Sequence, residues 1–510
     1  MQNCRWYRSK SRAVVNAGLV DVLPLSEQEK SHLLLIGVNF SEGARDLYAL
    51  PVKVASGEQA RAIEVEYPAT VIGRIGEDGD LLVDSIATQE FHRVLLDIVA
   101  NGTEVPGKQG RLVSGRSKQL DQTLGGTPVQ SSRFLKVEQS NSSVIFDDKI
   151  YLKLFRKLDE GLNPDLEVTK QLSEKCGFQY VPTYLGDIQY VARGQDPAAL
   201  IMMQRFTSNE QDGWTHTLAA VDRYFDRVLA DPSLPAPVPL GLWDEIPEPL
   251  LAVIEGMHLD TVRQLGERTA EMHLALSSDL ESPEFSPEPF TLQHQRSIFQ
   301  SIRSETKQTM TLLSRSLSAL DEYPRALAEK ILGRSGELGS CHDYLLQQPI
   351  PLQKIRIHGD YHLGQLLFTG EDFIILDFEG EPARPLGERR LKRSALIDVA
   401  GMLRSFHYAA YYGLVESRTV RLLDRNVLDG YADLWATRAS QFFLGAYLEK
   451  AGDAVFIPKD RDDLKRLLRS SLIQKVLYEL RYELNNRPKW VTIPLRGCLR
   501  LLDEGAGKAA

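Results

Sequence analysis

The sequence predicts an α+β protein whose first two-fifths is built largely of strands and whose remainder is mostly helix. Three observations carry that reading. Short apolar runs punctuated by Gly and Asp recur between residues 33 and 206. From residue 207 onward, long segments space their apolar side chains at helical intervals, and one strand-like interruption falls at 355–382. A chain of 510 residues should form two to four compact units. The pattern divides it into 1–101, 102–206 and 207–510.

In order, LLLIGVNF, YALPVKV, TVIGRIG and DLLVDSIA read as strands of a small N-terminal α+β unit. EFHRVLLDIVAN (90–101) follows as a helix with Phe91, Val94, Leu95 and Ile98 on one face. Residues 102–131 read as loop with at most one short strand. SSVIF (142–146) and KIYLKLF (149–155) flank Asp147-Asp148, a hairpin signal. A helix should start at Pro164 with Asn163 as its N-cap and stop before Gly177. AALIMMQRF (198–206) reads as a buried strand.

Composition removes several classes. Sixty basic against 69 acidic residues give a formal charge of −9 with no long basic run, which argues against a nucleic-acid binder. Cys4, Cys176, Cys341 and Cys498 are scattered without a Cys-x-x-Cys pair, so neither a disulfide framework nor a zinc site is expected. The basic start MQNCRWYRSKSR lacks the apolar core of a signal peptide. No apolar run reaches the roughly 18–20 residues of a membrane span. A cytoplasmic location is the expectation.

The chemistry concentrates in 355–382, IRIHGDYHLGQLLFTGEDFIILDFEGEP. His-Gly-Asp alone would read as a turn. Here Asp360 is followed by Gln365 and by an apolar strand ending in Asp377, so two carboxylates and an amide oxygen converge on one edge of a hairpin. Phosphoryl transfer needs such a set: a carboxylate that orients the acceptor hydroxyl, and hard oxygens that hold Mg²⁺ on the nucleotide. Gln365 stands at the offset that Asn occupies in the kinase catalytic loop. His362 reads equally as a loop donor or a substrate contact. Kinase chemistry also wants a lysine on an upstream strand paired with a helix acid. Lys153 and Glu167 are the candidates, the alternative being an edge lysine and a glutamate favoured by the helix dipole. EQSNSS (138–143), with Ser142 and Ser143, stands where a phosphate-covering loop should lie. There is no G-x-x-x-x-G-K-[ST], which excludes a P-loop NTPase.

These motifs resemble the maltokinase family, ATP:maltose 1-phosphotransferases with an aminoglycoside-phosphotransferase-like, bilobal protein-kinase-like fold. The resemblance rests on HGDYHLGQ, ILDFEGEP, RWYRSKSR near the start, QSNSSVIFDDKIYLKLFRKLDEGLNPDLE and YELRYELNNRPKWVTIPLRG, and it covers roughly residues 5–500. It implies Asp360 as catalytic base, with His358 beside it at the acceptor, Gln365 and Asp377 as Mg²⁺ ligands, and Lys153 with Glu167 as the phosphate-aligning pair. It places a hinge meeting adenine at Gln204 to Phe206. ATP would bind between 132–206 and the helical lobe, and residues 1–101 would form an N-terminal cap that restrains the phosphate-covering loop. The implied product is maltose 1-phosphate for α-glucan synthesis, with trehalose synthase as a possible partner. Asp398 in IDVAGMLRSF resembles the aspartate that braces the catalytic loop in related kinases, although a plain helix-start acid reads almost as well. ERRLKRS (388–394) reads as solvated surface.

Tyr478 and Tyr482 share one helical face with Glu479 and Glu483 beside them, and Arg487 and Trp490 follow. Flat aromatic faces and carboxylates are what sugar recognition uses, so these are the sugar-site candidates; an aromatic stripe can equally be core. Other acceptors, glucosamine or an aminoglycoside, remain alternatives. So does an inactive nucleotide- or glucan-binding partner of trehalose synthase, against which the complete set Lys153, Glu167, Asp360, Gln365 and Asp377 argues.

Overall fold

The computed structural model describes residues 4–506 apart from 5, 8, 11, 27–29, 77–78, 136–140, 255–258, 417–419 and 422. Two compact units emerge, residues 1–208 with 384–388, and residues 209–383 with 389–510.

The first unit holds two antiparallel sheets. β1 (Val14–Ser26), β2 (Ser31–Phe40), β3 (Asp46–Ala55), β4 (Val71–Ile75) and β5 (Asp80–Asp84) pair in the order β1-β2-β3-β5-β4. The second sheet has the order β6-β7-β12-β13-β10-β9-β8, formed by β6 (Val105–Pro106), β7 (Gly110–Arg116), β8 (Ser132–Phe134), β9 (Ser142–Phe146), β10 (Ile150–Leu154), β12 (Tyr184–Ala192) and β13 (Ala198–Arg205). β11 (Lys157–Leu158) pairs with β3 and so ties the second sheet's chain to the first. Asp147 and Asp148 both take positive φ (46° and 51°), the type I′ geometry whose twist suits a two-residue hairpin between β9 and β10.

One hydrophobic core serves both sheets. α1 (Gln89–Asn101) buries Phe91, Leu95 and Ile98 against Leu33 and Leu35 of the first sheet and Leu112 and Ile188 of the second. Part of the N-terminal region thus shares a core with the second sheet, while Ala55, Ala60, Ile63, Leu81 and Val83 form a smaller cluster of their own. A buried ion pair reinforces the join: Arg156 donates to Asp84 at 2.8 Å and to the Ser142 hydroxyl at 2.8 Å. ERRLKRS departs from the solvated-surface expectation at Lys392, which is buried and donates to the Pro283 carbonyl at 2.6 Å and Glu288 at 2.9 Å.

His92 of α1 is buried, its Nε2–H donating to the Ile86 carbonyl and its Nδ1 accepting from Ser132, each at 2.8 Å. Desolvation pushes its imidazole down to about 4, and burial does the same to His342 in the second unit. The sign follows: an unfolded histidine protonates near pH 6.5, whereas the folded ones stay neutral until about pH 4. Between those values the unfolded state binds more protons, so stability falls as pH falls, by roughly 1 kcal/mol per pH unit per histidine. Urea midpoints measured from pH 7 to pH 5 should decline, and His92→Gln should make the decline shallower. A flat profile would contradict this.

The second unit is mostly helical: α3 (Gly213–Ala230), α4 (Asp260–Leu276), α5 (Glu322–Gly333), α6 (Leu396–Glu416), α7 (Arg425–Ala451), α8 (Arg461–Asn486) and α9 (Thr492–Ala506) are the elements used below, α2 being Pro164–Lys170 of the first unit. A short hairpin, β14 (Leu366–Phe368) with β15 (Phe373–Ile375), interrupts them. α6 is almost wholly buried, flanked by α3, α7 and α8. Among the described residues no helix is long and apolar enough to cross a membrane.

Candidate active site

The loop between Ile355 and Leu366 is held rigidly before any ligand is considered. Asp398, in the first turn of α6 and fully buried, accepts from the His358 N–H at 2.7 Å and the Gly359 N–H at 2.9 Å. Its other partner is His273 Nε2 at 3.0 Å, and His273 Nδ1 in turn bonds the Tyr447 hydroxyl at 2.9 Å. Burial alone would push the Asp398 carboxyl up, but the His273 hydrogen bond and charge outweigh it and hold it below the usual range. The bracing geometry that the resemblance implied for Asp398 is present. α6 also runs unusually close to the loop: a Cβ on Gly401 would sit 2.5 Å from the Tyr361 carbonyl oxygen, so this position needs glycine.

Gly359 turns the loop with a φ of +85° and delivers Asp360, which is partly exposed. Lys475 of α8 places its Nζ 3.3 Å from Asp360 Oδ1, and His362 Nε2 lies 4.0 Å from Oδ2. Burial would lower the Lys475 pKa, yet the negative charges of Asp360, Glu479 and Glu381 overcome that and raise it, so the side chain stays an ammonium. Lys475 also sits over the Tyr478 ring, 5.2 Å from its centroid. Sequence reasoning missed Lys475. It stands three residues before Tyr478 on the same helical face, which was the available signal.

Gln365 and Asp377 flank the β14–β15 hairpin, where Leu366 pairs with Ile375. The register brings the Gln365 amide nitrogen to 3.2 Å from Asp377 Oδ2. Asp377 adopts a φ of +65°, a conformation a non-glycine residue holds only under constraint and one that clusters at functional sites. A half-turn of the amide would put its oxygen next to the carboxylate. Two adjacent hard oxygen donors suit Mg²⁺, so the residues fit that ion.

In the first unit, Asn163 caps α2 by accepting from the Asp165 and Leu166 N–H groups, with Pro164 at the first position, as expected. Lys153 is mid-strand in β10 and largely buried. It pairs with Asp165 at 2.7 Å, two residues before the expected Glu167 on the same helical turn. Asp165 is the more deeply buried of the two acids in that first turn, and its side chain is only 2% exposed. Glu167 stays on the same turn, half-buried. Of the phosphate-covering segment, 138–140 lie outside the described residues. Ser142 and Ser143 are buried in β9, their hydroxyls bonded to Arg156 and to Tyr151 at 2.6 Å. Both work as sheet interior rather than as free donors to a ligand. Gln204 is buried in β13, and the Phe206 N–H closes on the Lys149 carbonyl at 2.8 Å.

Several acceptor-side candidates change role. His358 is buried, its Nε2–H donating to the Leu376 carbonyl at 2.8 Å while Nδ1 faces the Asp360 N–H at 3.4 Å, so it holds the loop instead of contacting substrate. His362 caps the turn through the Gly364 N–H at 3.0 Å. Glu479 is buried in a forked pair with Arg404, at 3.0 Å and 2.7 Å, and is not available to a sugar. Glu483, almost fully buried, takes Arg487 at 2.7 Å and the Tyr408 hydroxyl at 3.2 Å. Arg487 lies between the rings of Tyr482 and Trp490. Along α8, Arg487 is twelve positions beyond Lys475, about 18 Å of helix. Lys475 thus touches both Asp360 and Tyr478, while Tyr482, Arg487 and Trp490 come later along the chain.

Glu479→Ala should destabilise the ligand-free protein by about 3–5 kcal/mol, because it leaves a buried guanidinium without its partner. Tyr482→Ala, at an exposed position, should cost below about 1 kcal/mol. Denaturant unfolding of both variants checks the pair, and equal small effects would return Glu479 to the sugar-site candidates.

Residues 1–87 match the family model described as the maltokinase N-terminal cap domain. Glucosamine kinase of Mycolicibacterium smegmatis (strain ATCC 700084 / mc(2)155) is 28% identical over 380 residues, covering 74% of this chain and 81% of that one. Among solved structures, glucosamine kinase in crystal form B superposes with a TM-score of 0.66 at 20% identity, covering 98% of this chain and 96% of that chain. Glucosamine kinase in complex with glucosamine, ADP and inorganic phosphate gives 0.62 at 20% identity, with 98% and 96% coverage. The fold is the aminoglycoside-phosphotransferase-like kinase fold. In this kinase fold the match extends over both units, with the sheet-rich cap at the N-terminus and the helical region at the C-terminus.

Proposed function

We propose that the protein is an ATP-dependent sugar kinase that phosphorylates the anomeric hydroxyl of maltose. The observation that carries this reading is Asp360 on a loop pinned by Asp398, with Lys475 at 3.3 Å and the Tyr478 face beside it. A carboxylate, an ammonium and an aromatic surface suit a polyol acceptor.

In this reading Asp360 accepts a hydrogen bond from the attacking hydroxyl and takes its proton as the new oxygen–phosphorus bond forms. The bond from the γ-phosphorus to the bridging oxygen breaks, and ADP leaves. Lys475 holds one Asp360 oxygen in place. Lys153, fixed by Asp165, aligns the nucleotide phosphates. Gln365 and Asp377 would hold Mg²⁺, which would supply charge neutralisation on those phosphates. Most of the acceleration is positioning and electrostatics.

Nucleotide use is supported by the relative solved with ADP, and maltose as acceptor by the cap domain. Glucosamine is the second reading, favoured by the names of the relatives. Lys475 counts against it, because an amino sugar would bring a second cation to the ammonium beside Asp360. ADP release measured with maltose, glucosamine and kanamycin separates these. We expect the highest kcat/KM on maltose. Turnover on glucosamine with none on maltose would overturn the acceptor, and turnover on none of the three would overturn the sugar-kinase reading.

A further inference from the structure

The helical unit contains a cavity of about 710 Å³ that the catalytic loop does not line. Its walls are the 237–244 segment, the start of α5 at Tyr323, Tyr411 of α6, Asp429 and Asp433 of α7, and Arg496 of α9. That volume lies within the range of small-molecule sites. Tyr411 stands thirteen positions after Asp398 on α6, about 20 Å of helix, so the cavity is separate from Asp360.

The walls are fixed in place. Gln441 Nε2 donates to the Gly241 and Asp244 carbonyls at 3.1 Å and 2.9 Å, and Arg500 donates to the Leu240 carbonyl at 2.9 Å, which fastens the segment carrying Trp243 to α7 and α9. Arg496 reaches the Tyr411 hydroxyl at 3.1 Å, Asp429 at 2.5 Å and the Tyr323 hydroxyl at 2.5 Å, locking two aromatic rings and a carboxylate around one guanidinium. Just behind Tyr411, the His407 ring lies 4.8 Å away. His407 is buried, and neither of its ring nitrogens has a hydrogen-bond partner among the described residues. Buried polar groups left in that state accompany sites that water or a ligand completes.

Lining chemistry selects the ligand. Carboxylates outnumber guanidiniums five to two among the lining side chains, which repels phosphates and nucleotides. Two aromatic side chains, Trp243 and the half-exposed Tyr323, offer flat apolar faces, while Tyr411 is buried behind Arg496. Asp429 and Asp433 keep acceptor capacity for paired hydroxyls, since each is more than a third exposed beside its arginine. Flat faces with forked acceptors and donors recognise a polyol ring. We propose that this cavity is a second carbohydrate site, binding a neutral oligosaccharide apart from the place where phosphoryl transfer occurs.

The test uses the full chain without ATP and an α-1,4-linked glucose tetramer as probe, with binding read by calorimetry. Wild type should bind, and Trp243→Ala and Tyr323→Ala should each weaken binding about tenfold or more. ADP release with the small acceptor should stay within about twofold of wild type in both, which also shows that the variants fold. Tetramer binding untouched by either substitution, no binding up to about 10 mM, or preference for a phosphorylated sugar would overturn the proposal. Trp243-dependent binding in a chain that shows no kinase turnover would support this site while sinking the function proposed above, so the two fail separately.

Discussion

Replacing Asp360 with asparagine should lower kcat by about 10²–10⁴, the usual scale of a positioned general base. Asparagine keeps the side chain's shape but cannot take the proton from the acceptor hydroxyl. The ion pair with Lys475 is also lost, although both side chains retain access to water, so the folding cost should stay below about 1 kcal/mol. Nucleotide affinity should change little, because the proposed nucleotide contacts lie with Lys153, Gln365 and Asp377. The checks are initial rates of ADP release and a thermal melt on the same preparation. A variant that keeps more than about a tenth of the rate would remove Asp360 from the role of base.

Asp398→Ala should be the most damaging change away from the reacting atoms. Asp398 is completely buried and accepts from His358, Gly359 and His273. Removing it leaves three buried donors without an acceptor, each worth about 1–3 kcal/mol, so the loss should reach about 3 kcal/mol or more. Turnover should fall with it, since the loop that presents Asp360 loses its anchor. The pH dependence adds a second signature. The folded Asp398 carboxyl is held below its ordinary value, so its contribution is full above the unfolded value near 4 and fades as pH falls through the folded one. The gap between wild type and Asp398→Ala should therefore narrow in acid. Asp398→Asn keeps one acceptor oxygen and should recover part of the stability. Urea unfolding of the three proteins at two pH values decides the matter, and a loss below about 1 kcal/mol for the alanine variant would contradict the anchoring role.

The parts of this protein legible in the sequence are those whose chemistry is local in the chain. Asn163, Pro164 and Gly177 mark a helix because caps and positive-φ stops act within a few residues. Gln365 and Asp377 could be placed together because one tight hairpin separates them. The resemblance supplied the bracing role of Asp398 before the geometry displayed it. Contacts that bridge long separations left no such trace. Lys475 meets Asp360 across 115 positions and Glu479 meets Arg404 across 75, so a helix-face argument could not tell a buried ion-pair partner from a sugar contact. The pairing of Lys153 with Asp165 left no trace either, because it depends on which side of one helical turn faces β10, and propensity says nothing about rotation. β1 escaped notice because its first six residues are exposed and two bulges break its alternation before Pro24.

The account rests on Asp360 activating a sugar hydroxyl toward the γ-phosphoryl group. Phosphorus NMR of the products formed from ATP, Mg²⁺ and maltose carrying ¹³C at its reducing-end C1, run in parallel on wild type and Asp360→Asn, tests that most directly. The account predicts a new phosphomonoester resonance split by the labelled carbon in the wild-type reaction, and its near absence from the variant. A wild-type reaction that releases only inorganic phosphate, or an equal yield of the sugar phosphate from Asp360→Asn, would contradict it.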